Sequence, residues 1–161
     1  MTRTLTLRTT TRRDLAAIDA LLSVSYPALL RADYPPSVMV TAVPVISRAQ
    51  PALLTCGTYY LIEDEGGTAL AAGGWTPRSP GVGRIRHVAT HPDALRRGLA
   101  RTILSHALDT AREAGVTRML CESTRTAVPF YAAMGFVETG PVTIPLRAGI
   151  DFPAIAMERA V

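Results

Sequence analysis

Lysine and asparagine are missing altogether from the 161 residues, so all 17 basic side chains are arginines. Their absence excludes a lysine Schiff base, a phosphate loop built around a lysine, and asparagine-linked glycosylation. Cysteine is scarce. Cys56 and Cys121 cannot make a framework of several disulfides, and with three scattered histidines they offer no zinc-binding spacing, so no metal is expected. No uncharged apolar run approaches the ~18–20 residues that cross a bilayer. Met1 to Asp14 alternates Thr, Leu and Arg and lacks the apolar stretch of a secretory leader. The expectation is a cytoplasmic chain with reduced thiols and no membrane partner.

What is present suits one hydrophobic core: 48% of the residues are hydrophobic and only 19% charged, too apolar for disorder at a common single-domain length. The net charge is +4, and its distribution matters more than its sum. Arg78, Arg84, Arg86, Arg96, Arg97 and Arg101 face a single acid, Asp93, within one stretch. Such a cluster reads either as a site for an anion or as a solvated basic face. Nucleic acid is not expected, because no aromatic side chains interleave with these arginines as a stacking platform requires.

Thr4 to Thr9 alternates apolar and polar residues, the period of a half-buried strand. Thr11 stands three residues before Asp14 as in a capping box, and Leu15, Ile18, Leu21 and Leu22 continue at helical spacing to about Ser23. Five prolines between Tyr26 and Pro51 leave room for a helix around Ser37 to Arg48 that kinks or breaks near Pro44. Thr58 to Glu63 and Thr68 to Trp75 form a hairpin across Asp64-Glu65-Gly66-Gly67. A strand at Arg84 to Thr90 follows the Pro80-Gly81-Val82-Gly83 loop. Leu99, Ile103, Leu104, Ala107, Leu108 and Ala111 make the clearest helical stripe, stopped at Gly115. Arg118 to Cys121 predicts a strand and Ala127 to Met134 a short helix; two strands follow, Val142 to Leu146 and Ile155 to Glu158. This order gives a mixed α/β sheet with one strand-helix-strand crossover from Arg84 to Cys121.

The chemistry concentrates where the strand at His91 passes into the long helix, through Pro92-Asp93-Ala94-Leu95-Arg96-Arg97-Gly98-Leu99-Ala100-Arg101. The first N–H groups of a helix have no internal partner and carry the positive end of its dipole, which suits phosphate oxygens. Small residues at Gly98 and Ala100 allow close approach, and the flanking arginines add charge-assisted bonds. The alternative is an ordinary tight turn with solvent-facing arginines.

The strand His87-Val88-Ala89-Thr90-His91-Pro92 leading into Arg96-Arg97-Gly98-Leu99-Ala100, and the later Pro129-Phe130-Tyr131-Ala132-Ala133-Met134-Gly135-Phe136, resemble the two signature regions of the GNAT superfamily of acyl-CoA-dependent N-acetyltransferases. The resemblance implies a single domain over residues 1–161, with a mixed, mostly antiparallel sheet whose central parallel strands splay apart, flanked by helices. It implies acetyl-CoA as co-substrate, its pyrophosphate cradled by Arg96, Arg97, Gly98, Leu99, Ala100, Arg101 and Thr102. Its pantetheine arm would bond the backbone of Val88, Ala89 and Thr90, where an N–H would also face the thioester oxygen. Tyr131, four residues before Gly135, falls where the family places the tyrosine that protonates the thiolate. The family also leans towards a homodimer. Three positions depart from the pattern. Leu95 stands where a Gln or Arg begins the phosphate loop, Thr124 or Thr126 replaces an Asn before the tyrosine helix, and Arg84 replaces a carboxylate that often serves as base.

The base is left to His87, Glu122 or a water. His87 reads equally as a packed strand histidine, and Tyr131 as core of an amphipathic helix. His91 reads as a turn residue and His106 as a surface one. Tyr26, Tyr34, Tyr59, Tyr60 and Trp75 are candidates to shape an acceptor pocket, although Tyr59 and Tyr60 point to opposite faces. The segment from Tyr26 to Pro51 corresponds to the family's lid over the acceptor, and its sparse charge argues against a highly cationic acceptor. The expected reaction is acetyl transfer to a primary amine of a small molecule or peptide by direct attack. The alternative is a non-catalytic acyl-CoA-binding sensor or scaffold.

Overall fold

Tyr59, Tyr60, Leu61 and Ile62 are all buried, yet successive side chains of a strand point to opposite faces, so this segment needs cover on both sides. In the computed structural model, which describes residues 4–161, it is the second strand of a seven-stranded sheet. The strands are β1 (Thr6–Thr9), β2 (Tyr59–Glu63), β3 (Ala69–Ser79), β4 (Val82–Thr90), β5 (Arg118–Ser123), β6 (Val137–Arg147) and β7 (Ile150–Ala160), in the order β1-β2-β3-β4-β5-β7-β6. Neighbours pair antiparallel except β4 with β5, which are parallel. The first three residues of the Met1–Asp14 stretch lie outside the described residues.

Two apolar clusters sit against opposite sheet faces. Tyr60 and Ile62 pack with Ile103, Leu104 and Ala107 of α4 (Leu99–Glu113) and with Tyr131 of α5 (Val128–Ala133). Tyr59 and Leu61 pack with Ile18, Leu21 and Leu22 of α1 (Leu15–Leu29) and with Ala42 and Val43 of α2 (Pro36–Ile46). Burying each large side chain stabilises the fold by about 1.5–3 kcal/mol.

The capping box forms as expected. The Thr11 N–H donates to Asp14 at 2.7 Å, and Arg13 N–H donates to the Thr11 hydroxyl at 3.3 Å. It closes a short 3-10 turn, Arg12–Asp14, ahead of α1. Helix α1 runs on past the expected end at Ser23, through Pro27 to Leu29. A proline so near the end removes one bond, while Leu30 N–H still closes the final turn on Tyr26 at 3.0 Å. Helix α2 likewise passes Pro44, and a further turn, α3 (Pro51–Leu54), follows.

The strands are longer than their sequence patterns. β3 continues through Pro77 and β4 starts at Val82, so the expected Pro80–Gly83 loop narrows to Pro80-Gly81. β6 carries Pro141 and Pro145 but lies at the sheet edge, where a missing N–H is tolerated.

Two irregularities in β4 position the site. Ala72 pairs with Ala89 and Gly74 with Arg86, so Gly73 alone faces His87 and Val88, a bulge in which His87 adopts φ +41°. A bulge bends and twists its strand. On the other side β4 pairs with β5 only through Val82–Arg118, Gly83–Met119 and Arg84–Leu120, and beyond Arg84 the two strands part as a fork. Gly73 makes the bulge sterically feasible: a Cβ there would stand 2.8 Å from Val88 Cγ2 and 2.9 Å from Ile103 Cγ2. Gly73→Ala is therefore expected to cost about 1–3 kcal/mol, seen as a lower Tm in thermal unfolding. An unchanged Tm would contradict the close packing beneath the bulge.

Candidate active site

The fork leaves backbone groups without a strand to pair with. His91 N–H donates to Leu70 O at 2.7 Å, so by two-residue alternation Ala89 also faces β3, whereas Val88 and Thr90 turn towards the fork. Side chains take up the carbonyls there. Ser25 Oγ donates to Thr90 O at 2.7 Å, Tyr26 OH to Val88 O at 3.3 Å, and Tyr59 OH to His87 O at 2.8 Å. The N–H groups of Val88 and Thr90 then face a cavity rather than a strand.

That cavity has a volume of 450 Å³, and its far wall is the start of α4. Gly98 is the residue before the helix, with φ +73°, no side chain caps it, and a Cβ there would meet nothing within 4 Å. Arg96, two residues earlier, also has positive φ, +63°, a conformation that costs a non-glycine residue of order 1–3 kcal/mol. Thr102 N–H makes the first helical bond, to Gly98 O at 3.0 Å, so the preceding N–H groups lack helical partners. The macrodipole makes them attractive to an anion.

Eight of the ten backbone-cradle residues expected from the sequence line this one cavity: Val88, Ala89, Thr90, Arg96, Gly98, Leu99, Ala100 and Arg101. Arg97 instead faces a separate recess with His91, Asp93 and Asp64, and Thr102 directs its hydroxyl back to Gly98 O at 2.9 Å. Leu95, at the first departure from the phosphate-loop pattern, lines the cavity. His91 is a turn residue, its Nδ1 accepting from Asp93 N–H at 3.1 Å. His106 is half-buried with its ring edge-on to Tyr60 at 4.5 Å.

A second cavity of 360 Å³ lies on the other side of the fork, and Tyr26 and Thr124 line both. It holds His87 and Glu122 together with Arg84, Arg86 and Gln50. Arg84, where a carboxylate was missed, pairs across the parallel strands with Glu122 at 2.9 Å. Arg86 donates to Gln50 Oε1 at 3.1 Å, which turns the Gln50 amide nitrogen to His87 Nε2 at 3.2 Å. In this network His87 Nε2 accepts and the ring proton resides on Nδ1. Burial, and then the charges of Arg86 and Arg84, push the His87 pKa down to about 4. The imidazole is therefore neutral at physiological pH and a weak base.

Tyr131 lines neither cavity. It is 5% exposed, edge-on to Phe130 and Phe136, with its hydroxyl beside the Cys121 thiol. Burial, followed by the neighbouring Cys121 and Tyr26, raises its pKa well above that of a free phenol. Burial likewise pushes the Cys121 thiol up to about 12. Tyr26, Tyr59, Tyr131 and Cys121 thus converge beneath the fork. Of the other aromatics considered for the acceptor pocket, Tyr60 and Trp75 bond Thr110 on the α4 face, and Tyr34 bonds Pro153 O. Gln50 and the separate direction of Arg86 had no signal in the sequence, because neither belongs to a recurrent motif. Among the described residues no three His, Cys, Asp or Glu side chains gather as a metal site, and no helix is long and apolar enough to cross a membrane.

A sequence model of the Acetyltransferase (GNAT) family matches residues 24–136. Solved structures with the same fold include a GCN5-related N-acetyltransferase from Rhodopseudomonas palustris, 17% identical, with a TM-score of 0.80 over 100% of this chain and 99% of that one. The PaiA N-acetyltransferase from Thermoplasma acidophilum, in complex with coenzyme A, is 12% identical, with a TM-score of 0.71 over 98% of this chain and 99% of that one. The ribosomal-protein-S18-alanine N-acetyltransferase from Escherichia coli is 20% identical, with a TM-score of 0.68 over 98% and 94%.

Because its folded pKa lies below the unfolded value, His87 contributes stability that is complete above about pH 6.5 and is lost as the pH falls towards 4. In an NMR titration its ring resonances should stay unshifted through pH 6 and move only near pH 4. A midpoint near 6.5 would contradict the buried, arginine-flanked setting.

Proposed function

Since the chain belongs to the GNAT acetyltransferase family, we propose that it transfers an acetyl group from acetyl-CoA to a primary amine by direct attack. The observation that carries this reading is the single cavity shared by the fork edge at Val88–Thr90 and the uncapped start of α4 at Gly98. Acetyl-CoA supplies the activated acetyl thioester. The N–H groups of Gly98, Leu99, Ala100 and Arg101, with Arg96 and Arg101, hold its pyrophosphate. Thr102 braces the turn from outside the cavity through its hydroxyl bond to Gly98 O, and Arg97 lines the separate recess.

The backbone of Val88 to Thr90 orients the pantetheine arm, and a fork N–H donates to the thioester oxygen as negative charge develops on it. The acceptor enters the second cavity, which meets the first at Tyr26 and Thr124. Glu122, directly or through a water, takes the amine proton. His87 is a poorer base, since its Nε2 already accepts from Gln50 and its conjugate acid is strong. Tyr131, whose raised pKa keeps its proton in place at any working pH, is the acid of this reading; because it lines neither cavity, its proton reaches the leaving sulfur from beneath the fork, on the side of Tyr26, which lines both. The same reading includes a cytoplasmic setting and a homodimer.

A ligand that binds only the folded state at 100 times its Kd stabilises by about 2.7 kcal/mol, so millimolar acetyl-CoA should raise the Tm by several degrees. No shift would contradict the proposed donor site. Tyr131→Phe should slow CoA release by about 10²-fold or more while acetyl-CoA still raises the Tm. Turnover equal to the wild type would remove Tyr131 from the proton path.

A further inference from the structure

The second cavity carries an unbalanced charge. Arg84 and Arg86 lie two residues apart on β4 and so share a face, and both line this cavity. Arg84 is neutralised by Glu122 at 2.9 Å. Arg86 makes no ion pair among the described residues. Its guanidinium donates to the neutral Thr76 hydroxyl at 3.3 Å and to the neutral Gln50 amide oxygen at 3.1 Å. His87 is neutral there. Two arginines against one glutamate leave one positive charge over, held on a half-buried side chain.

Keeping an unpaired cation out of full solvent costs free energy that a carboxylate would offset. The guanidinium has five N–H donors, so the two bonds it makes leave donors for a planar, two-oxygen partner. The remaining wall is largely apolar, with Val45, Ile46, Ile144, Leu146 and Phe152, and carries Tyr26 and Thr124 where the two cavities meet. An amine without a carboxylate would bring an ammonium ion towards this uncompensated charge, which disfavours it.

Resting on the acetyl-transfer reading above, we infer that the acceptor is a small amine that also bears a carboxylate on an apolar body, with Arg86 binding the carboxylate. An amino acid with an apolar side chain is of this class. Arg86 is then a specificity-determining residue. The Glu122 carboxylate, already partnered by Arg84, remains for the ammonium end.

The test compares CoA release with leucine, leucinamide and 3-methylbutylamine, and with the corresponding series from phenylalanine. The amides have the more acidic ammonium groups, so a preference for the acids does not arise from more free amine. The acids should be favoured in kcat/KM by about 10- to 100-fold, the worth of a charge-assisted bond. Arg86→Gln should bring the series to near parity through KM. Arg86→Lys should restore part of the preference, and the Tm rise with acetyl-CoA should persist in both variants. In a second arm without turnover, N-acetylleucine should further stabilise the CoA-saturated protein and N-acetylleucinamide should not, a difference absent from Arg86→Gln.

Equal or reversed preference overturns the inference, as does a preference that survives Arg86→Gln. Failure of both acetylated compounds to stabilise the CoA-saturated protein also overturns it. If acetyl-CoA raises the Tm and the plain amines are acetylated as fast as the acids, the inference alone falls. If acetyl-CoA gives no stabilisation, the acetyl-transfer reading falls with it.

Discussion

The parting of β4 from β5 is the constraint on which the rest of the site depends. Three residue pairs, ending at Arg84–Leu120, hold the parallel strands together, and then the bulge at His87 bends β4 away. A sheet interior normally spends its N–H and C=O groups on neighbours. Here the fold instead satisfies the carbonyls of His87, Val88 and Thr90 with the hydroxyls of Tyr59, Tyr26 and Ser25. The N–H groups on the same edge are left for a ligand. The bulge itself requires Gly73 opposite it, because Val88 and Ile103 fill the space a side chain would need. Steric room in β3 thus sets the shape of the cleft between β4 and β5.

One fork serves two cavities with different chemistry. On one side, the positive end of α4 and the exposed Arg96 and Arg101 favour an anionic chain, and the positive φ of Arg96 and Gly98 aims the backbone at it. On the other, the Arg84–Glu122 ion pair and the Arg86–Gln50–His87 chain of hydrogen bonds stand side by side in a largely apolar wall. Tyr26 and Thr124 belong to both walls, so the two cavities adjoin there. Family membership accounts for the activity class.

Much of this was legible in the chain, and the reasons differ from element to element. Helix α4 was plain from its apolar stripe, since six buried residues repeat at helical spacing. The Gly98 turn and the Tyr131–Gly135 helix were visible because their chemistry is local. The capping box at Thr11 was legible for the same reason. Two elements next to prolines were expected too short: α1 only to about Ser23, though it runs through Pro27 to Leu29, and β6 only over Val142 to Leu146, though it extends past Pro141 back to Val137. In each case tertiary packing or an edge position outweighed the local penalty. The fate of the arginine cluster was not legible. Arg84 and Arg86 turn into one cavity, Arg96 and Arg101 into the other, and Arg97 into a recess of its own. That division depends on strand facing and on the bulge, and the bulge depends on a register mismatch between two strands that no local pattern records. The network from Arg86 through Gln50 to His87 joins residues 36 and 37 positions apart, beyond the reach of any motif.

Amide hydrogen exchange resolved by residue tests most directly whether the fork and the start of α4 form one binding surface. With the proposed donor bound, exchange at Val88 and Thr90 and across Gly98 to Arg101 should slow together, while Ala89, already paired with β3, should change little. Protection confined to other segments, or none at these amides in a sample that binds the donor, would contradict the account.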